Sequence, residues 1–382
     1  MTEGFEQPAF ADALFRQKRK HGKFRFVEPP RLAAPVADTH AHVHLLDDPP
    51  LTFARAAVWG VDFICNIVDI YGGEPATFDL LDGWLQEAAA RTPELLAQTN
   101  AVVAAGADEG GVSHFPEKAD ARAFAPVACG VADEYGDGAL ASGDSAVGAS
   151  AVVMPRVRLA VGCHPHNASH YDDALEEVLL GRLADPRVCA IGEIGLDYHY
   201  DFSPRDAQRE AFRRQIRLAH ETGLPVALHV REAHDEAFQI LEEEGFPQAG
   251  VLLHCFDLDW ATLEPWISRG CYVALGGALT FKRCEGTREA VARVPRDLLL
   301  TETDSPYMAP EPLRGMACEP MYTIFTAACM ADVLGCETPD QVAELLNQLE
   351  QNARRLLNRQ PTVWQLEHAW MRPGFDAGTF AN

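Results

Sequence analysis

Residues 38–45 read DTHAHVHL, with histidines at positions 40, 42 and 44 behind an aspartate. In an extended chain successive side chains point to opposite faces, so His40, His42 and His44 share one face. The His40–His42 pair offers two ring nitrogens close enough for one cation. Donors of similar chemistry recur far along the chain. Glu193 closes the apolar run RVCAIGE, His229 closes PVALH, His254 closes GVLLH, and Asp304 closes LLLTETD. Any one of them could be a satisfied polar group or a surface histidine. Six oxygen and nitrogen donors at the ends of five apolar runs, with no thiolate among them, point instead to a divalent-metal site.

Six donors exceed the four that one tetrahedral zinc uses. The count suits two cations sharing a carboxylate, and Glu193, with its two oxygens, is the expected bridge. His40, His42 and Asp304 would complete one site; His229 and His254 would complete the other. Imidazole and hard oxygen ligands fit Zn, Mn, Fe or Mg. Two such cations ~4 Å apart can hold a hydroxide and clamp the attacking and leaving oxygens of a displacement.

These donors need a scaffold that brings strand ends together. Beside PVADTHAH (35–42), seven apolar, β-branched runs read as strands: 61–68, 157–163, 187–193, 225–230, 250–255, 271–277 and 298–304. Helical patterns lie between them. QREAFRRQIRLAHETG puts Phe212, Ile216 and Ala219 on one face and ends at Gly223, a C-cap residue. Eight buried strands alternating with helices predict a parallel sheet closed into a (β/α)₈ TIM barrel, whose chemistry gathers at the strands' C-terminal ends. A doubly wound open sheet is the alternative, but no GxGxxG stands at a strand-to-helix turn.

The barrel is expected over residues 36–357, within a chain of 382. Residues 1–35 read as an N-terminal extension, solvated or packed on the surface, with a basic run from Arg16 to Arg25. Residues 101–155, rich in Ala, Gly and Asp, read as an insertion between the second and third strands. Residues 358–382 read as a tail with enough aromatics to dock on the body. The net charge of −24 opposes nucleic acid unless local cations reverse the field. Ten cysteines, none spaced CxxC, suggest reduced thiols. With no signal-peptide core and no run of ~18 apolar residues, the chain reads as soluble and cytoplasmic, without a membrane partner.

DTHAH, GCHPH (162–166), IGEIGLDYHYD (191–201), PVALHVREA (225–233), LLHCF (252–256) and TETDSPYMAP (301–310) together resemble the TatD family of metal-dependent hydrolases, within the amidohydrolase-like barrels. The likeness runs from about residue 36 to 357, broken by the insertion. It implies a (β/α)₈ fold, a divalent-metal site and deoxyribonuclease activity at DNA ends. By matching motif it implies His40, His42, Glu193, His229, His254 and Asp304 as ligands, with His164 and Arg231 facing the substrate. One departure is RGMACEP (314–320), where Cys318 replaces the asparagine usual in the family.

The expected reaction is phosphodiester hydrolysis by a metal-bound hydroxide, with Asp304 accepting the proton of the water. His164 would serve a non-bridging oxygen or the leaving group, and Arg231 a phosphate or a carboxylate. Asp38 is expected to orient an imidazole, His44 to be a loop residue, and Asp197 and Tyr198 to lie in the loop after the third strand-end donor. Arg205, Arg231, Lys282, Arg283 and Arg314 would form a basic rim suited to a single-stranded end. Tyr198, Phe202, Phe256, Phe281 and Tyr307 are the aromatics available for stacking on bases. The rival readings are an enzyme acting on a small ester, lactone, amide or phosphoester, and a non-catalytic interaction protein on a barrel scaffold.

Overall fold

The computed structural model describes residues 12–106 and 152–374. A small antiparallel hairpin, β1 (Arg16–Lys18) and β2 (Phe24–Phe26), precedes a parallel sheet of eight strands. These are β3 (Val36–Ala41), β4 (Val61–Asp69), β5 (Arg156–Gly162), β6 (Val188–Asp197), β7 (Val226–Arg231), β8 (Val251–Leu253), β9 (Tyr272–Leu275) and β10 (Leu299–Thr301). Spatial order equals chain order from β3 to β10. That order belongs to a barrel; a doubly wound sheet would double back from a central strand.

The first and last barrel strands are joined by side chains. Thr39 Oγ1 donates to the Thr301 carbonyl at 2.9 Å, and Thr301 Oγ1 donates to the Ala37 carbonyl at 2.7 Å. Beyond them the Asp304 N–H donates to the His40 carbonyl and the His42 N–H to the Ser305 carbonyl, both at 2.8 Å. The seam therefore sets the backbone of three expected ligands.

Inside the barrel, alternate residues of β4 (Phe63, Cys65 and Ile67) pack against small side chains including Ala160, Ala190, Ala227 and Ala274. Large and small residues facing each other fill the narrow interior. At the strands' N-terminal ends helix α9 (Pro339–Leu357) adds Leu356 and Leu357 to this core. Asn352 of the same helix donates to the carbonyls of Arg296 and Leu299. The start of α9 is held by a reciprocal cap between Thr338 and Gln341, with Pro339 at the first helical position.

Helices α1 (Pro49–Val58), α2 (Thr77–Gly106), α3 (Asp173–Leu183), α4 (Arg205–Thr222), α5 (His234–Glu244), α6 (Trp260–Ser268), α7 (Glu285–Val291) and α8 (Thr323–Val333) connect the strands or follow them. Helix α4 buries Phe212, Ile216 and Ala219, as its periodicity predicts, and stops at Gly223 with φ 69°. That left-handed backbone suits a residue without a Cβ.

Several boundaries differ from expectation, and four of them bear on the site or the insertion. Strand β6 continues to Asp197, so this residue closes the strand instead of sitting in the following loop. Strands β8 and β10 stop one and three residues before His254 and Asp304. Helix α2 runs to Gly106, so the start of the 101–155 segment is helical; residues 107–151 of it lie outside the described residues. The N-terminal arm is docked: Ala13 and Phe15 are buried, and the Phe15 ring lies 4.8 Å from Trp59 and 5.0 Å from Phe325. The tail docks through α10 (Val363–Glu367), where Gln365 Nε2 donates to the carbonyls of Leu183, Asp185 and Val188. Among the described residues nine cysteines are free thiols, and no helix is long and apolar enough to cross a membrane.

Candidate metal centre

The six expected ligands meet at the C-terminal ends of the strands, around Glu193. Its two oxygens face different partners. Oε2 lies 3.4 Å from His40 Nε2 and 3.7 Å from His42 Nε2. Asp304 Oδ1 stands on the same side, 4.0 Å from His40 Nε2 and 3.6 Å from His42 Nε2. Oε1 lies 2.8 Å from both His229 Nδ1 and His254 Nε2, which are 3.4 Å apart. Ligand atoms each ~2.0 Å from a tetrahedral cation are ~3.3 Å from one another, so both groups have the spacing of a cation site.

Burial supports the same reading. His40 has no exposed surface, and neither of its ring nitrogens makes a hydrogen bond among the described residues; His254 Nδ1 is similarly orphaned. Orphaned buried nitrogens are costly unless something unseen satisfies them. A cation between His40, His42, Glu193 and Asp304 would satisfy His40 Nε2, which faces both carboxylates, with oxygen and imidazole donors alone; His254 Nδ1 lies instead 3.9 Å from Glu302 Oε1, and it is Nε2 of that ring that faces Glu193 beside His229. The residues thus fit two divalent ions sharing Glu193.

Electrostatics prepare the donors. Burial alone would push the Glu193 carboxyl up, but the imidazoles of His254, His40, His164 and His229 hold it well below the usual carboxylate range. Burial likewise opposes ionised Asp304, and His42, His254 and His40 hold it low. His40 is pushed down to about 4, chiefly by burial, so its ring is neutral and free to coordinate. Burial also works against charge on His229, yet hydrogen bonds to Asp197 and Glu193 raise it to about 9. A cation at Nδ1 would replace the proton that this flanking favours.

At or beside two of the expected ligands the backbone is left-handed. Asp304 has φ 56° and Cys255, next to His254, has φ 48°. Each such non-glycine residue costs on the order of 1 kcal/mol, a strain that recurs where side chains must be aimed.

Several neighbours differ from their expected roles. Among the described residues Asp38 touches no imidazole ring. It accepts from Thr303 Oγ1 at 2.6 Å, from the Thr303 N–H at 2.9 Å and from the His40 N–H at 3.3 Å, so it ties β3 to the chain before Asp304. His44 leaves the row because the strand ends at Ala41; it sits in the turn Val43–Leu45 with Nε2 3.0 Å from Glu74 Oε2. The role expected of Asp38 falls to Asp197. Its Oδ2 lies 3.0 Å from His229 Nε2, the nitrogen opposite the one that faces Glu193, and 2.9 Å from His166 Nε2. Asp197 follows Glu193 by four, so strand alternation would have placed both on one face had β6 been read to its true end. His166 and Glu302 were also missed. Glu302 is fully buried, accepts from the Cys255 N–H at 2.5 Å, and is held strongly toward its neutral form by burial.

His164 stands at the centre, with Nε2 3.7 Å from Glu193 Oε1. Its Nδ1 accepts the His166 N–H at 3.1 Å, which leaves the ring proton on Nε2. Arg231 ends β7 at the exposed rim, its guanidinium 4.8 Å from the Tyr200 ring, and touches none of the six donors. Cys318 is buried, with Sγ 4.0 Å from the carbonyls of Thr303 and Glu319.

A parallel eightfold sheet with imidazoles and carboxylates converging on its C-terminal rim is a barrel of the metal-dependent hydrolase type. The model of the TatD related DNase family matches residues 37–358, and the chain belongs to that family. It is 38% identical over 197 residues to the metal-dependent hydrolase YabD of Bacillus subtilis, covering 52% of this chain and 76% of the relative. It is 36% identical over 153 residues to the 3′-5′ ssDNA/RNA exonuclease TatD of Escherichia coli K12, covering 40% of this chain and 59% of that protein. The crystal structure of YJJV, a TatD homologue from the same species, superposes with a TM-score of 0.58 at 25% identity, over 85% of this chain and 98% of that one. The protein is accordingly a metal-dependent hydrolase acting on ester bonds.

Proposed function

We propose that this protein removes nucleotides from single-stranded DNA ends by phosphodiester hydrolysis at two divalent cations that share Glu193. The observation that carries the reading is the division of labour at Glu193: Oε2 toward His40 and His42, Oε1 toward His229 and His254. A related protein named as a single-strand exonuclease supports the choice of substrate.

When bound, the cations would supply Lewis acidity, lowering the pKa of water and offsetting charge on the phosphate oxygens. Asp304, ionised and aimed from a left-handed backbone, accepts the proton of the attacking water. His164 presents an Nε2–H toward the centre and donates it as a hydrogen bond to a non-bridging phosphate oxygen; burial pushes its imidazole well below the usual value, which disfavours it as a proton donor to the leaving group. Asp197 holds the His229 ring so that Nδ1 faces Glu193. The cytoplasmic setting, the choice among Zn, Mn, Fe and Mg, and the boundaries of the hydrolase unit at 36 and 357 belong to the same proposal.

The test compares wild type and Asp304→Asn on a single-stranded oligonucleotide, a lactone and an N-acyl amino acid. Wild type is expected to shorten the oligonucleotide, and the variant to lose roughly 10²–10⁴ in rate with its melting temperature retained. Turnover of the lactone or amide with the oligonucleotide left intact would overturn the substrate. An Asp304→Asn variant as fast as wild type would remove Asp304 from the reaction.

A further inference from the structure

The loop from β6 to α4 carries two large aromatics in the open. Phe202 is 68% exposed and Tyr200 49% exposed, their rings nearly parallel at 13° with centroids 5.3 Å apart. The His166 ring stands edge-on to both, 4.8 Å from Phe202 and 5.5 Å from Tyr200. His166 in turn meets Asp197, which meets His229. Two residues therefore separate this pair from the expected metal ligands.

The loop is pinned. Ser203, fully buried, donates to the His166 carbonyl at 2.7 Å and accepts the Ser169 N–H at 3.0 Å. Asp201 pairs with Arg205 at 2.7 Å. Arg231 lies beside the pair, 4.8 Å from the Tyr200 centroid, exposed, and in no ion pair among the described residues. Nearby arginines are already engaged: Arg205 with Asp201, and Arg209 with Asp206 and Glu236. On a chain of net charge −24, an exposed guanidinium that feels Asp257 but forms no ion pair among the described residues, beside an open aromatic face, is matched to a ligand with both a π-face and a negative charge.

We propose that Phe202, Tyr200 and Arg231 form a subsite that stacks a nucleobase of the single-stranded end on the Phe202–Tyr200 pair and holds its phosphate against Arg231. The inference rests on the nuclease reading above and adds the place where a base sits. Of the other aromatics singled out in the sequence, Phe256 and Phe281 are buried in the core, Tyr198 lies under Arg205, and Tyr307, 40% exposed, stands edge-on to His42 at 6.4 Å, apart from the Phe202–Tyr200 pair. Stacking tolerates any base, because each has a π-face. A short platform beside a single guanidinium suits a splayed strand better than a duplex.

The experiment uses the metal-loaded protein and a phosphorothioate oligonucleotide ending in 2-aminopurine, whose fluorescence falls when the base stacks. Wild type is expected to quench it, and Phe202→Ala and Tyr200→Ala to lose the quenching with about tenfold weaker binding and unchanged melting temperatures. On a cleavable oligonucleotide, Phe202→Ala is expected to raise KM about tenfold. An abasic terminal nucleotide should cost wild type a similar factor, and the two losses should not add. Variants that bind and quench like wild type, or that lose equally on base-bearing and abasic ends, would overturn the subsite while leaving the nuclease reading intact. Wild type that neither binds nor shortens the oligonucleotide would overturn both.

Discussion

Glu193 is the residue on which the chemistry turns, because its two oxygens address two groups of imidazoles. A ligand of this kind works only if the rings facing it are held in register. For His229 that task falls to Asp197, on the ring nitrogen opposite Glu193. Asp197→Asn keeps the shape but removes the charge that steadies the ring, so affinity for the second divalent ion should fall by about 10–100-fold. Metal titration followed by calorimetry would show it; unchanged affinity would mean that Asp197 only packs. Asp69 illustrates a different residue-level effect, outside the six expected ligands. Burial raises its carboxyl from the ordinary 3.8 to about 7, against hydrogen bonds from the Tyr71 N–H and Asn167. Its folded pKa lies above its unfolded one, so the stability it contributes is full below about 3.8 and is lost as pH rises through about 7. Asp69→Asn should therefore melt relatively higher, by a few degrees, at pH 8 than at pH 5 when each is referred to wild type. A difference that does not change with pH would contradict this.

At the scale of elements, β6 shows how a strand both supplies and spaces a site. It places Glu193 and Asp197 on one face, and between them Gly195 lets β6 approach β7. A Cβ on Gly195 would stand 2.0 Å from the His229 carbonyl oxygen, and its φ of 140° is one that other residues rarely adopt. Gly195→Ala should cost on the order of 3 kcal/mol or more, read as a drop in urea midpoint or as insoluble protein. A variant with wild-type stability would show that β6 and β7 can separate without loss. Much of this scale was legible in advance. Apolar β-branched runs marked all eight barrel strands, and Gly223 marked the end of α4. The far end of β6 was hidden because Gly195 and Asp197 are poor strand formers in isolation, and the parallel pairing with β7 overrides that preference. Pairing with β7 is also what carries Asp197 to His229. Asp38 misled for a related reason: its spacing from His40 matches a ring-orienting carboxylate, but closure of the barrel brings Thr303 to it first.

Over the whole molecule, the docked arm and tail were readable only as appendages. Phe15 gives no periodic signal that it fits among Trp59, Tyr322 and Phe325, since those partners come from distant helices and turns. Six donors spread from residue 40 to residue 304 could be recognised as one site only by assuming the barrel that gathers them. That convergence is the central claim, and it includes a stated number of ions. The direct measurement is anomalous X-ray diffraction from crystals of the protein loaded with manganese or zinc. Two peaks flanking Glu193 are expected, one against His40, His42 and Asp304, the other against His229 and His254. A single peak, or peaks away from Glu193, would contradict the account.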